Sequence, residues 1–175
     1  EAVATYRFHL DQDLTVGRAV QVAEFYNHAL FAPEANSLDR KGQEGDHSLT
    51  ILDEIKEHYD NIFARNDPAR IREGEPLRLG FITTQASKTD LVNQYNKRLR
   101  EGLYIERDKR ALDEIEWYEV KPDGSYGAVE GRHDDIYMSR AIALKVSQLM
   151  DLPREVNEKP PRTESGGTVR TEASM

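Results

Sequence analysis

Apolar residues along this chain follow two spacings, one typical of strands and one typical of helices. Residues 3–10 alternate apolar and polar side chains, as a strand buried on one face does. After Asp11 to Asp13, apolar residues recur every three or four positions, which predicts a helix with one buried stripe. That stripe consists of Val16, Ala19, Val20, Ala23, Tyr26 and Leu30.

The same two spacings continue to residue 150. Further strands are predicted over 30–34, 61–64 and 77–84, and a hairpin over 116–129 with its turn at Pro122-Asp123-Gly124-Ser125. Further helices are predicted to open at His47-Ser48, to run from a Ser87 cap to Gly102, to form a turn over 109–114, and to extend from about Asp135 to Met150. Residues 37–46 and 66–76 are predicted to be polar loops. Strands separated by helices predict an α/β fold with a mixed sheet flanked by helices.

Length and composition limit the organisation of the chain. At 175 residues it is most simply one domain with its own core. Residues 153–175 contain three prolines and a Gly166-Gly167 pair, which predicts a disordered tail and places the domain at residues 1–152. There is no cysteine, so disulfides and thiolate metal sites are excluded. No signal-peptide pattern or membrane-length apolar run is present, so we expect a reducing cytoplasm and no membrane.

The net charge of −8 argues against a protein that coats nucleic acid by bulk electrostatics, but it leaves room for a local basic face. Between Lys88 and Arg110, seven basic residues outnumber four acidic ones. The candidate DNA contacts there are Lys88, Lys97, Arg98 and Arg100, and a solvated helix face is the alternative interpretation.

Two groups of acids are the candidate chemistry. Glu34 ends a short apolar strand, and Asp134 and Asp135 stand with His133 at the start of the last predicted helix. Carboxylates on rigid elements can hold two Mg²⁺ or Mn²⁺ ions about 4 Å apart, which is the arrangement for phosphodiester hydrolysis. His133 is a candidate for orienting a phosphate or a water. The alternatives are an ordinary aspartate N-cap and a solvated glutamate. No Walker sequence occurs, so this chain is not itself predicted to be an ATPase.

An ordered set of segments carries a resemblance to a known family. The segments are residues 26–36 ending in Pro-Glu-Ala-Asn, residues 79–88, the Leu112-Asp113-Glu114-Ile115 stretch, and residues 133–143 beginning His-Asp-Asp. In this order they resemble the C-terminal nuclease domain of the large subunit of tailed-phage terminases, the DNA-packaging motors. The likeness covers roughly residues 1 to 150, and the ordered set is more specific than any one piece.

The resemblance implies an RNase H-like fold and an endonuclease that cleaves concatemeric double-stranded DNA in the host cytoplasm. Glu34 matches the second catalytic acid of the family, and Asp135, with Asp134 beside it, matches the third. The first acid has no matching segment here, so we expect it on a strand upstream, together with the ATPase domain. The implied partners are that ATPase domain, the terminase small subunit and the portal protein.

Two other functions stay open. A catalytically incomplete module could dock portal or packaging partners without cutting DNA. A resolvase-like nuclease of RNase H fold would use the same chemistry on branched DNA.

Overall fold

The computed structural model describes residues 1–7, 12–36, 48–66 and 68–150, and these residues form a mixed helix and strand fold. The predicted loop over 37–46 and the predicted tail lie outside them. In chain order the elements are helices α1 (Gln12–Phe25), α2 (Ser48–His58), α3 (Pro68–Arg72), α4 (Gln85–Arg100) and α5 (Lys109–Glu116), strands β1 (Tyr118–Val120) and β2 (Tyr126–Ala128), and helix α6 (Asp135–Leu149).

The helices form where the apolar spacing predicts them, with three corrections. Helix α1 ends at Phe25, so Tyr26 and Leu30 of the predicted stripe lie beyond it, because Asn27 and His28 have positive φ. Helix α4 begins after Thr84 and not after Ser87: the Thr84 hydroxyl accepts the Ser87 N–H, and the Ser87 hydroxyl accepts the Thr84 N–H, so Ser87 is the third helical residue of a capping box. The predicted loop over 66–76 contains α3, which starts at Pro68 because the fixed φ of proline suits a first helical position. Gly102 follows the end of α4 with φ +67°, as predicted for a helix C-terminus.

The strands are less regular than predicted. The hairpin is confirmed, with Tyr118 opposite Ala128 and Val120 opposite Tyr126. The segments 30–34, 61–64 and 77–84 meet only at isolated bridges, in which Phe31 pairs with Ile62, Ala64 with Leu79, and Glu34 with Phe81. Segment 30–34 changes partner between Phe31 and Glu34, so a continuous ladder to either neighbour does not form.

The N-terminal segment also differs from the prediction. The described residues 1–7 do not form a strand, and residues 8–10 lie outside the described part. The segment is instead held by side chains of distant elements: Arg140 donates to the Ala4 carbonyl and the Thr5 hydroxyl, and Arg107 pairs with Glu1 at 2.5 Å. Pairing with these basic side chains takes the place of pairing with a neighbouring strand.

Helices α4 and α6 form the centre of the main core. Their buried residues are Leu91, Val92, Tyr95, Tyr137, Met138, Ala141, Ile142 and Val146. A smaller cluster joins Ala23 of α1 to Ile55 of α2 and to Tyr59 and Ile62, which follow α2. Within the described residues, no helix is long and apolar enough to cross a lipid bilayer.

His28, three residues after α1, links α1 to the segment that follows α2. Its backbone has φ +55°, a conformation that residues other than glycine rarely adopt. Its Nδ1 lies 3.0 Å from Glu24 Oε1, and its Nε2 lies 2.6 Å from Asp60 Oδ1. The hydrogen bond to Glu24, and after it the hydrogen bond to Asp60, raises the pKa of His28 above its usual 6.5.

We expect the stability of the protein to depend on pH through His28. Because the pKa is raised in the folded state, the contribution of His28 is fully present below pH 6.5 and is lost as the pH rises through the raised pKa. His28→Asn removes the titration, and asparagine tolerates positive φ. Between about pH 6 and pH 9, the urea midpoint of the wild type should fall more than that of the variant. Parallel midpoints for the two proteins would contradict this expectation.

Candidate functional site

A cavity of about 270 Å³ brings together four of the eight site residues that the sequence singled out. Its polar lining comes from three parts of the chain: Glu34, then Thr83 and Lys88, then Asp134 and Asp135. Met138, Ser139 and Ile142 of α6 complete the wall. We call this space the acid cavity.

Backbone pairing and a close glycine contact place Glu34 at the acid cavity. The Phe81 N–H donates to the Pro33 carbonyl at 2.8 Å, and the Ala35 N–H donates to the Phe81 carbonyl at 2.7 Å. Gly80 allows this approach, because a Cβ at that position would lie 2.8 Å from the Pro33 oxygen, and its φ is +77°. The Glu34 side chain is therefore held at the cavity by its backbone.

Asn36 braces the same junction from the other end. Its Oδ1 accepts the Thr83 N–H at 2.6 Å, and its Nδ2 donates to the Thr83 carbonyl. The side chain thereby pairs with Thr83 as a neighbouring strand would. It thereby fixes Thr83, which lines the acid cavity.

Asp134 stands at the N-cap position of α6 without acting as a cap. Its carboxylate accepts no hydrogen bond from the helix backbone, and its Oδ2 lies 3.1 Å from Lys88 Nζ. The ordinary N-cap interpretation of this aspartate is therefore wrong. Lys88 reaches it from the first turn of α4, 46 residues earlier in the chain.

Glu114 supplies the missing cap. Its Oε2 accepts the Tyr137 N–H at 2.8 Å, so a buried carboxylate of α5 satisfies the start of α6. Burial raises the pKa of Glu114; the N–H groups of Tyr137 and Ile136 oppose the rise, and the negative charge of Asp135 adds to it. Because Glu114 caps the helix, both aspartates before and within its first turn can face the acid cavity.

Asp135 is open to solvent. Its side chain is 67% exposed, and its described ion-pair partner is the Arg7 guanidinium at 3.5 Å. This contact is long and solvent-exposed, so it contributes little to stability. Asp135 can therefore take a stronger partner at small cost to the fold.

Lys88 stands between the acids and an aromatic ring. Its Nζ lies 5.8 Å from the centre of the Tyr118 ring, in addition to its ion pair with Asp134. Burial, followed by the negative charge of Asp134, raises the pKa of Tyr118. Tyr118 therefore stays a neutral phenol that can accept a cation over its face.

The structure separates the other predicted site residues from the acid cavity. His133 is exposed and is not part of the described cavity lining. Lys97, Arg98 and Arg100 lie at the opposite end of α4 from Lys88, about 13–18 Å along the helix axis at 1.5 Å per residue. Lys97 is nine positions from Lys88, so it points to the opposite side of the helix, and its Nζ lies 3.9 Å from Glu101. The four basic residues do not form one face.

The oxygens of the acid cavity have the chemistry that a hard divalent cation requires. Glu34 and Asp135 offer exposed carboxylates, and the Thr83 Oγ1 is buried without a described hydrogen-bond partner. Within the described residues, no three acidic or histidine side chains are close enough to hold a metal ion together. The described donors therefore fit part of a metal's ligand shell, with Glu34 and Asp135 as the carboxylates.

Comparison of the chain with models of protein families, with curated proteins and with solved structures found no match. Any functional conclusion therefore depends on the residues and on their geometry. The geometric facts are two open carboxylates, a lysine paired with a third, and a capped helix N-terminus, all at one cavity.

Several residues of the site have roles that the sequence did not indicate. Arg7 lies beside Asp135, Glu114 caps α6, and Thr83 lines the acid cavity. Each role depends on a contact between residues far apart in the chain, and neither spacing nor local pattern shows such contacts. Only Glu114 has a signal in the sequence. It is an acid three positions after Ala111, on the face of α5 that is buried.

Proposed function

We propose that residues 1–152 form an RNase H-like nuclease domain of a viral DNA-packaging motor, which cleaves double-stranded DNA with Mg²⁺ or Mn²⁺. One observation carries this proposal: Glu34, Asp134, Asp135 and Lys88, from three separate parts of the chain, line one cavity. Acids gathered in this way, with a cation among them, suit a divalent ion and a phosphodiester. The resemblance of the same segments to terminase nuclease domains supports this choice over other metal-dependent hydrolases.

The roles of the residues follow from their exposure and partners. Glu34 and Asp135 hold the cations through carboxylates that are open to solvent. Bound Mg²⁺ or Mn²⁺ would supply Lewis-acid stabilisation of the phosphate charge and a lower pKa for water. Lys88 faces the same space and neutralises a non-bridging phosphate oxygen, while Asp134 holds its ammonium group at 3.1 Å.

Partners and context belong to the same proposal. Double-stranded DNA is the substrate, and the ATPase domain of the motor, the terminase small subunit and the portal protein are the protein partners. Cleavage would start and end a round of packaging in the host cytoplasm.

A second candidate function has one observation in its favour. Among the described residues only two carboxylates of the acid cavity are open, because the third is paired with Lys88. An incomplete set of metal ligands is what a docking module without nuclease activity would have. The experiment that tests the nuclease separates the two functions.

The test is cleavage of supercoiled plasmid by the purified chain, with Mn²⁺ and with EDTA. We expect nicked and linear plasmid with Mn²⁺ and intact supercoiled plasmid with EDTA. Titration calorimetry with Mn²⁺ alone reports cation binding independently of cutting. If the folded chain neither binds Mn²⁺ nor cuts, the nuclease proposal is overturned and the docking function is favoured.

A further inference from the structure

A second cavity, of about 230 Å³, lies next to the acid cavity and is lined largely by aromatic rings. Three tyrosines, Tyr118, Tyr126 and Tyr137, form its walls, and Val92 and Ile115 close it with apolar contacts. Lys88 connects the two spaces, because it lines the acid cavity and its Nζ lies 5.8 Å from the Tyr118 ring centre. We call this second space the tyrosine cleft.

The rings of the tyrosine cleft lie nearly parallel to one another. The Tyr118 and Tyr137 planes differ by 20° with their centres 4.2 Å apart, so these two rings are in contact. The Tyr118 and Tyr126 planes differ by 12° with their centres 6.4 Å apart. The hairpin fixes Tyr118 and Tyr126 on one face of paired strands, whereas Tyr137 is anchored in the core by α6. A planar ligand therefore meets the partly exposed rings of Tyr118 and Tyr126, whereas Tyr137 is fully buried and packs against Tyr118.

Polar groups at the tyrosine cleft are few. Asn96 Oδ1 accepts the Tyr137 hydroxyl at 3.0 Å, which leaves the amide N–H groups of Asn96 as donors to a ligand. Glu119 lies between Tyr118 and Val120 on β1, so its side chain points to the opposite face of the hairpin. The Asn96 amide matches the acceptor edge of a nucleobase, which carries ring-nitrogen and carbonyl-oxygen acceptors.

We propose that the tyrosine cleft binds one unpaired nucleobase of the DNA strand whose phosphate lies at Lys88, an inference that rests on the proposed nuclease function. The cleft is smaller than the roughly 300–1,000 Å³ of pockets for drug-sized ligands, so its size suits one planar ring system. A base within a duplex cannot enter such a space, so the ligand is a base at a frayed end or one turned out of the stack. Stacking on tyrosine tolerates any base, which suits a nuclease of weak sequence preference.

The experiment measures binding of a short single-stranded oligonucleotide containing 2-aminopurine, in EDTA so that no cleavage occurs. Stacking on the tyrosines should quench the 2-aminopurine fluorescence, and titration gives the Kd. Tyr126→Ala should weaken binding by at least about fivefold, the lower end of the effect of removing one stacking ring. Tyr126→Leu, which keeps an apolar side chain in the hairpin, should give the same loss, and Tyr126→Phe should bind as the wild type does. Tyr26→Ala, at a half-exposed tyrosine outside the cleft, is the matched control.

The outcomes separate this inference from the nuclease proposal. Wild-type affinity and quenching in both Tyr126→Ala and Tyr126→Leu would overturn the nucleobase site, even if the chain cuts plasmid with Mn²⁺. Loss of binding in those two variants alone would support the site, even if the chain fails to cut. Equal losses in Tyr26→Ala and Tyr126→Ala would show non-specific binding and would also overturn it.

Discussion

Glu34→Ala and Asp135→Ala should each abolish Mn²⁺-dependent cleavage of plasmid DNA while leaving the protein folded. The expected loss is at least about 100-fold, because removing even a residue that only supports a metal ligand typically costs 10–100-fold. Both side chains are exposed at the acid cavity, and the described ion pair of Asp135 is a 3.5 Å contact with Arg7. Their stability cost should therefore stay within about 0.5 kcal/mol, the usual range for surface substitutions.

Matched controls make this expectation specific. Glu57→Ala and Asp53→Ala remove exposed acids of α2, away from the acid cavity, and should cut at the wild-type rate. Initial rates of nicking and urea midpoints for all four variants separate loss of chemistry from loss of fold. If Glu34→Ala or Asp135→Ala cuts as fast as its control, the acid cavity is not the place of cleavage.

The helices could be predicted because their signal is local. Helix α6 repeats its apolar positions over fifteen residues, and a glycine, Gly102, follows α4, so the bounds of α6 and the end of α4 are confirmed within two residues. The hairpin follows equally from its turn, where Gly124 has φ +79°. Local patterns failed where two local signals competed, as with Thr84 and Ser87 for the start of α4.

The pairing of the predicted strands could not be obtained in the same way. Glu34 pairs with Phe81 because Gly80 has no Cβ: a Cβ there would lie 2.8 Å from the Pro33 oxygen and would push the two backbones apart. This contact depends on both segments at once, so neither segment predicts it alone. The fate of Asp134 shows the same limit. Its position in the chain predicts an N-cap, but Lys88 competes for the carboxylate and Glu114 takes over the cap. The sequence could therefore identify the candidate acids, whereas the residues that pair with them could be identified only from the folded structure.

Glu106→Ala should be the most destabilising single substitution considered for this protein. The Glu106 side chain is 1% exposed, and its Oε2 lies 3.1 Å from Arg140 Nε, itself only 13% exposed. The same oxygen accepts the Tyr104 hydroxyl at 3.2 Å, and the other accepts the Asp108 N–H at 2.9 Å. Burial, followed by the charge of Glu106, raises the pKa of Tyr104 to about 12. One carboxylate thus satisfies a buried cation, a phenol and the start of α5.

Removing that carboxylate leaves the Arg140 charge buried without its partner, which costs about 3–5 kcal/mol in comparable pairs. We expect a fall of that size in the free energy of unfolding, measured by urea titration. Glu101→Ala, at an exposed acid just after α4, should change it by less than about 0.5 kcal/mol. The double variant Glu106→Ala/Arg140→Ala tests the cause. In the Glu106→Ala background, Arg140→Ala removes an unpaired charge, so it should lower the free energy of unfolding by less than it does in the wild type. Additive losses in that cycle would mean that packing, and not the buried ion pair, is what Glu106 provides.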